Sequence, residues 1–301
     1  MKLIRRKNKV SSHHSPSERK YILGDNTSFV VDEAYNTLRS NIIFSMPGKG
    51  CKVVEFTSCG MSDGKSINVL NTAITFAETN VKVLLIDCDL RRPNINRLLA
   101  RKSSPGLTNV LVNACALEDA IVRIDDYNLD VIFSGYLPPN PSELLSSEAL
   151  AELMETLKER YDYIFIDTPP VSAVIDAAVI SKYTNGAVIV VRPGSTKKEE
   201  LVNIVSQLEF ADAKIVGFVL NCVDDEHGGY YYRGKYKYNY TYAYVHGAES
   251  TKTAKNTKSN SEKRVPEIEI KLREQSLWAA HFYVYSAEKY IKTVEIASIV
   301  W

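Results

Sequence analysis

The sequence predicts an α/β fold, a mostly parallel sheet with helices on both faces. Three observations point there. Short apolar runs alternate with helical patterns between about residues 30 and 223. The runs are continuously apolar, which implies strands buried on both faces. A Gly64-Lys65-Ser66 triplet joins one run to a helical pattern, and aspartates close two others. Strand C-termini are where ligands of such sheets gather.

Taken in order, residues 1–27 read as a basic, flexible arm. Residues 1–20 hold seven Lys or Arg against one acid, Glu18. Two readings are open: a solvated arm, or one that touches anionic lipid or an acidic partner. No apolar stretch follows, so a signal peptide is not expected. The main domain is placed at 28–224. "VVDEAYNTLRSNIIFS" has helical spacing from about 30 to 45, with a start near Asp32. Strands are expected at 52–58, 81–89, 129–135, 163–170, 186–194 and 213–223. Helices are expected at 66–79, 142–160 and 197–210.

At Asp224 the pattern changes. Residues 225–248 form a tyrosine-rich tail, and 249–301 an extension that matches nothing recognised. The extension opens with a polar linker at 249–264.

The chain has 301 residues, with 37 Lys and Arg against 36 Asp and Glu. This balance gives no reason to expect nucleic acid as a partner. Five cysteines, at 51, 59, 88, 115 and 222, show no metal spacing and fit a reducing cytoplasm. Cys51, Cys88 and Cys222 adjoin apolar runs and are expected to be small core residues. No stretch reaches the ~20 apolar residues of a membrane helix, so a soluble or peripherally attached protein is expected.

Gly64-Lys65-Ser66 follows a strand and opens a helix, the context of a Walker A phosphate loop. Gly64 lets backbone N–H groups approach phosphate oxygens, and the helix N-terminus adds favourable partial charge. Lys65 would reach the β- and γ-phosphates, and Ser66 would ligate Mg²⁺. Cys59 stands where the pattern has its first Gly, with Gly60 beside it. The alternative is an ordinary strand–turn–helix.

"LLIDCDL" is expected to place Asp87 and Asp89 on one face of an extended chain. "FIDTPP" puts Asp167 at another strand end. Each could be a turn or cap residue. Beside a phosphate loop they could instead surround Mg²⁺, partly through water, and one could accept a proton.

Together the loop, "LLIDCDLRRP", "IFIDTPP" and "SGYLPPNPSELLSSE" resemble the Walker A, A′ and B motifs and a further segment of bacterial tyrosine kinases. The resemblance covers roughly 30–245. It is strongest to kinases of Gram-positive capsule and exopolysaccharide operons. It implies a P-loop NTPase fold, ATP and Mg²⁺ as cofactors, and autophosphorylation of a C-terminal tyrosine cluster. Gly60, Asp63, Gly64, Lys65, Ser66 and Ile67 would bind the nucleotide. Asn221 would recognise adenine. Asp87, Lys65 and Asp89 would be catalytic, Asp87 as the base. Ser66, Asp87, Asp89 and Asp167 would serve the metal. Implied partners are a membrane adaptor of the polysaccharide co-polymerase type and a cognate tyrosine phosphatase. The adaptor would bring a cytoplasmic protein to the inner face of the plasma membrane. The family's ring-forming Glu-x-x-Arg-x-x-Arg element appears with Glu33 and Arg39, but Asn36 replaces the first Arg and weakens the ring. Chromosome-partitioning relatives carry a second loop Lys, where this chain has Gly60.

Tyr230, Tyr231, Tyr232, Tyr236, Tyr238, Tyr240, Tyr242 and Tyr244 are eight of eighteen tyrosines. Their alternation from 236 to 244 allows an edge strand. The flanking Gly228, Gly229 and Gly234 favour a flexible run of phosphoryl acceptors, with Arg233, Lys235 and Lys237 to balance phosphate charge. Two rival functions stand beside the kinase: a partitioning-type ATPase switch, and a non-catalytic nucleotide-bound adaptor.

Overall fold

The computed structural model describes residues 18–25 and 27–222, and the backbone of a short strand at 281–283. The elements run α1 (Phe29–Ser45), β1 (Lys52–Ser58), α2 (Lys65–Ala77), β2 (Val83–Asp87), α3 (Ile95–Leu98), α4 (Leu107–Leu111), α5 (Leu117–Ala120), β3 (Ile121–Ile124) and β4 (Leu129–Ile132). There follow α6 (Pro141–Leu145), α7 (Glu148–Lys158), β5 (Tyr163–Asp167), α8 (Asp176–Ser181), β6 (Gly186–Val191), α9 (Lys198–Phe210), β7 (Ile215–Leu220) and β8 (His281–Tyr283).

Among the described residues eight strands form one sheet in the order β3-β4-β2-β5-β1-β6-β7-β8. The six from β4 to β7 are parallel, and β3 and β8 add antiparallel edges. Strand alternation divides the core. Val54, Phe56, Leu85 and Phe165 meet Leu38 and Ile42 of α1 and Leu70 and Ile74 of α2. On the other face Leu84, Ile86, Ile164 and Ile166 meet Leu150, Met154 and Leu157 of α7. Ile189 and Phe218 meet Ile204 and Leu208 of α9. Burying both faces is what made the strands read as unbroken apolar runs.

Several expectations change. α1 starts at Phe29, where the Ser28 hydroxyl accepts from Val31 N, rather than near Asp32. The single helix expected at 142–160 is two helices, because Ser147 caps a new start by accepting from Leu150 N at 3.4 Å. β2 and β5 end at Asp87 and Asp167, leaving Asp89 beyond its strand. Of the expected core cysteines, Cys88 is buried, but Cys51 and Cys222 are only half-buried. Among the described residues no helix is long and apolar enough to cross a membrane.

Candidate active site

The loop between β1 and α2 is held by its own residues. Gly60 N donates to Asp63 Oδ2 at 2.7 Å, and Ser58 Oγ donates to Gly60 O at 2.8 Å. Asn221, just past β7, donates from Nδ2 to Asp63 O at 2.7 Å. Gly64 has φ +93°, and a Cβ there would lie 2.0 Å from Asn221 Nδ2. Only glycine satisfies both conditions. Ile67 is buried against the α1 side of the sheet. Cys59 points into the core beside Val171, Ile189 and Val191. The unusual residue therefore answers to packing, and the left-handed positions of the loop are Ser62 and Gly64.

Lys65, the first residue of α2, reaches across to the ends of β2 and β5. Its Nζ lies 2.8 Å from Asp89 Oδ2, 3.4 Å from Asp167 Oδ1 and 3.4 Å from Ser66 Oγ. Burial disfavours the ammonium, but Asp167, Asp89 and Asp87 outweigh it and push its pKa up. Burial raises Asp87, and negative Asp167 adds to this against the pull of Lys65. Burial also raises Asp167, with Lys65 opposing.

The three carboxylates differ in what remains open. Asp87 Oδ1 accepts from Asp89 N and Oδ2 from Ile95 N, both at 3.2 Å. Asp89 gives Oδ2 to Lys65 and Oδ1 to Arg92 N at 2.9 Å. Asp167 Oδ2 is buried without a hydrogen-bond partner. Asp87 and Asp89 were expected on one face of an extended chain. β2 ends at Asp87, and the Asp89 N–H bonds back to the Asp87 carboxylate.

Among the described residues no group of three His, Cys, Asp or Glu is arranged to hold a metal ion. Mg²⁺ does not need such a cage. It keeps waters and takes one or two protein oxygens together with phosphate oxygens. The open Asp167 oxygen beside the Ser66 hydroxyl fits that demand.

Comparison with known proteins agrees with this geometry. The family model described as AAA domain matches residues 58–215. The tyrosine-protein kinase YwqD of Bacillus subtilis (strain 168) is 37% identical over 203 residues, 67% of this chain and 86% of that protein. The chain belongs to the bacterial tyrosine-protein kinase family. The tyrosine-protein kinase CpsD of Streptococcus agalactiae is 35% identical over 207 residues, covering 68% of this kinase and 90% of CpsD. The kinase domain of Escherichia coli tyrosine kinase ETK superposes with a TM-score of 0.61 at 33% identity, over 63% of this kinase and 74% of that chain. The chimerical protein CapA2B2 gives 0.60 at 37% identity, over 62% and 83%. The kinase is thus a protein-tyrosine kinase with the P-loop fold.

Within the kinase, Lys65, Ser66, Asp87, Asp89 and Asp167 come together at one end of the sheet. Asn221 joins them through the loop backbone, with its Nδ2 engaged by Asp63 O. The eight cluster tyrosines lie outside the described residues. On α1, Asn36 donates to Glu33 Oε1 at 3.1 Å, and Arg39 donates to Thr75 O at 2.6 Å. Sequence reasoning passed over Glu55. It is fully buried in β1, accepts from the Thr168 hydroxyl at 3.0 Å, and has Oε2 unpartnered. A lone acid inside "KVVEFTS" was the available signal.

Proposed function

We propose that the kinase transfers the γ-phosphoryl group of ATP to cluster tyrosines 230–244 of a neighbouring copy. The observation that carries this reading is the Asn221–Asp63 contact. It puts the last described residues before the tail against the phosphate loop. Tyr230 is eight positions beyond Cys222, so the acceptors are tethered by a short stretch of chain to the residue next to Asn221.

Each residue has a task. Gly60, Asp63 and Gly64 shape the loop whose N–H groups cradle phosphates. Lys65 moves from its carboxylate partners to the β- and γ-phosphates and stabilises charge on the transferring group. Ser66 and the open oxygen of Asp167 would hold Mg²⁺, which would neutralise phosphate charge. Asp89 orients Lys65. A tyrosine hydroxyl has a pKa near 10 and must lose its proton as it attacks. Asp87 accepts that proton while the phenolic oxygen bonds to the γ-phosphorus and ADP leaves. Asn221, which fixes Asp63 here, adds an edge for the base.

The wider setting follows from the family. The kinase works in the cytoplasm on capsule or exopolysaccharide synthesis. A membrane adaptor of the co-polymerase type recruits it, and a tyrosine phosphatase reverses it. Copies associate, but a ring is weakened, because Asn36 and Glu33 bond to each other and Arg39 binds α2.

The test mixes a Lys65→Met chain with an active chain whose cluster tyrosines are all Phe, in Mg-ATP. Phosphotyrosine is expected on the Lys65→Met chain. If neither chain is labelled, although both fold and the active one binds ATP, transfer between copies is wrong.

A further inference from the structure

Three loops at the strand C-termini are tied by side chains that the transfer scheme above leaves out. Asp176 opens α8 and is wholly buried. A buried carboxylate is costly without partners, and these come from two other segments. Arg91, in the loop after β2, donates from Nε to Asp176 Oδ2 at 2.8 Å and from Nη2 to Oδ1 at 3.2 Å. Ser142, in the first turn of α6, donates from Oγ to Asp176 Oδ1 at 2.6 Å. Arg91 Nη2 also donates to Ser142 Oγ at 2.9 Å. Every side of this triangle is a hydrogen bond, and one side is a two-pronged guanidinium–carboxylate pair.

The placement suggests a purpose. Arg91 lies two residues beyond Asp89, which holds Lys65. Ser142 ends the segment that follows β4. Asp176 ends the one that follows β5 and Asp167. Those two segments carry large apolar side chains in the open: Tyr136 at 69%, Leu137 at 63% and Ile175 at 67% exposure. The triangle therefore ties the loop after Asp89 to the two segments that carry this apolar lip. The guanidinium of Arg91 is engaged by Asp176 and Ser142, so it acts through position.

We propose that Asp176, through Arg91 and Ser142, is a positioning residue for the acceptor. It fixes the apolar lip so that an incoming tyrosine meets Asp87. The proposal rests on Asp87 as the proton acceptor. A purely stabilising triangle would affect every property of the kinase alike, whereas a positioning triangle should affect transfer alone.

The test uses full-length Arg91→Lys and Ser142→Ala proteins. Lysine keeps the charge of Arg91 and loses its fork. Three quantities are read: affinity for a fluorescent ADP, ATP hydrolysis to water, and phosphate transfer to a synthetic tyrosine peptide. Transfer should fall about 10–100-fold, the scale of a small misplacement of reacting groups. ADP affinity and hydrolysis should stay within about threefold, a shift well under 1.4 kcal/mol. Asp176→Asn should show the largest loss of transfer. Should it not fold, the two milder variants decide. Transfer that is unchanged in both, or hydrolysis and ADP affinity that fall together with it, overturns the proposal. Because the peptide replaces the tail, a peptide that is labelled while the Lys65→Met chain is not would count against the tail reading alone.

Discussion

Glu55 and the Lys65 centre are both buried and acidic, and they lie on adjoining strands. Asp167 of β5 stands opposite Phe56 of β1, one residue from Glu55. Around Lys65, Asp89 and Asp167 share one ammonium, and Asp87 and Asp89 accept from backbone N–H groups. Around Glu55 the hydrogen-bond partner is the Thr168 hydroxyl, and burial pushes the carboxyl up to about 8. At neutral pH it therefore carries a proton. Burial alone thus does not mark a working carboxylate. A cation within reach and a position at or just beyond a strand end do so.

The largest effect should come from removing that cation. Lys65→Met leaves the acids without their counter-ion and the phosphates without their clamp. Phosphotyrosine formation should fall by at least about 10²–10³-fold, while circular dichroism shows the fold retained. Labelling at the wild-type rate would take Lys65 out of the mechanism. Next comes Asp87→Asn, which keeps shape and removes the base. Turnover should drop about 10²–10⁴-fold, with ATP affinity much less altered. A change limited to affinity would make Asp87 a binding residue.

Glu55→Gln should act on stability alone, and with a definite sign. The folded chain holds the Glu55 proton up to about pH 8, whereas an unfolded glutamate loses it near 4.5. The folded state therefore binds more protons between these values, and its stability falls as pH rises through that window. The slope is at most about 1.4 kcal/mol per pH unit. The Gln variant should lack this slope, so denaturant melts of the two proteins should diverge from pH 5 to 8. Parallel curves would mean that Glu55 is paired in a way the contacts around it do not suggest.

Much of this was legible in the chain. β1 spans 52–58 as read, because a short run rich in β-branched and aromatic residues that leads into a phosphate-loop pattern has few other solutions. Asp87 and Asp167 read as site candidates because they close buried strands, and Lys65 because it opens the helix after one. Other features were hidden for physical reasons. β3 has four residues and an antiparallel partner, too short for a period to show. The break between α6 and α7 depends on which serine turns its hydroxyl to a backbone N–H. Glu55 looks like a surface acid in the sequence and is buried because helices cover both faces of β1. The Arg91–Asp176 pair is 85 positions apart, and only the fold brings it together.

The burial of Cys59 has a chemical consequence for the loop it belongs to. Thiols react with oxidants and electrophiles as thiolates. Burial pushes Cys59 up to about 12 and Cys51 up to about 11, and it raises Cys88, Cys115 and Cys222 as well. All five sulfurs thus stay protonated at neutral pH. A sulfur that faced the ligand and ionised there would be open to peroxide or alkylating agents. Here the sulfur faces Ile189 and Val191, and the loop should keep its grip on phosphate through an oxidative surge.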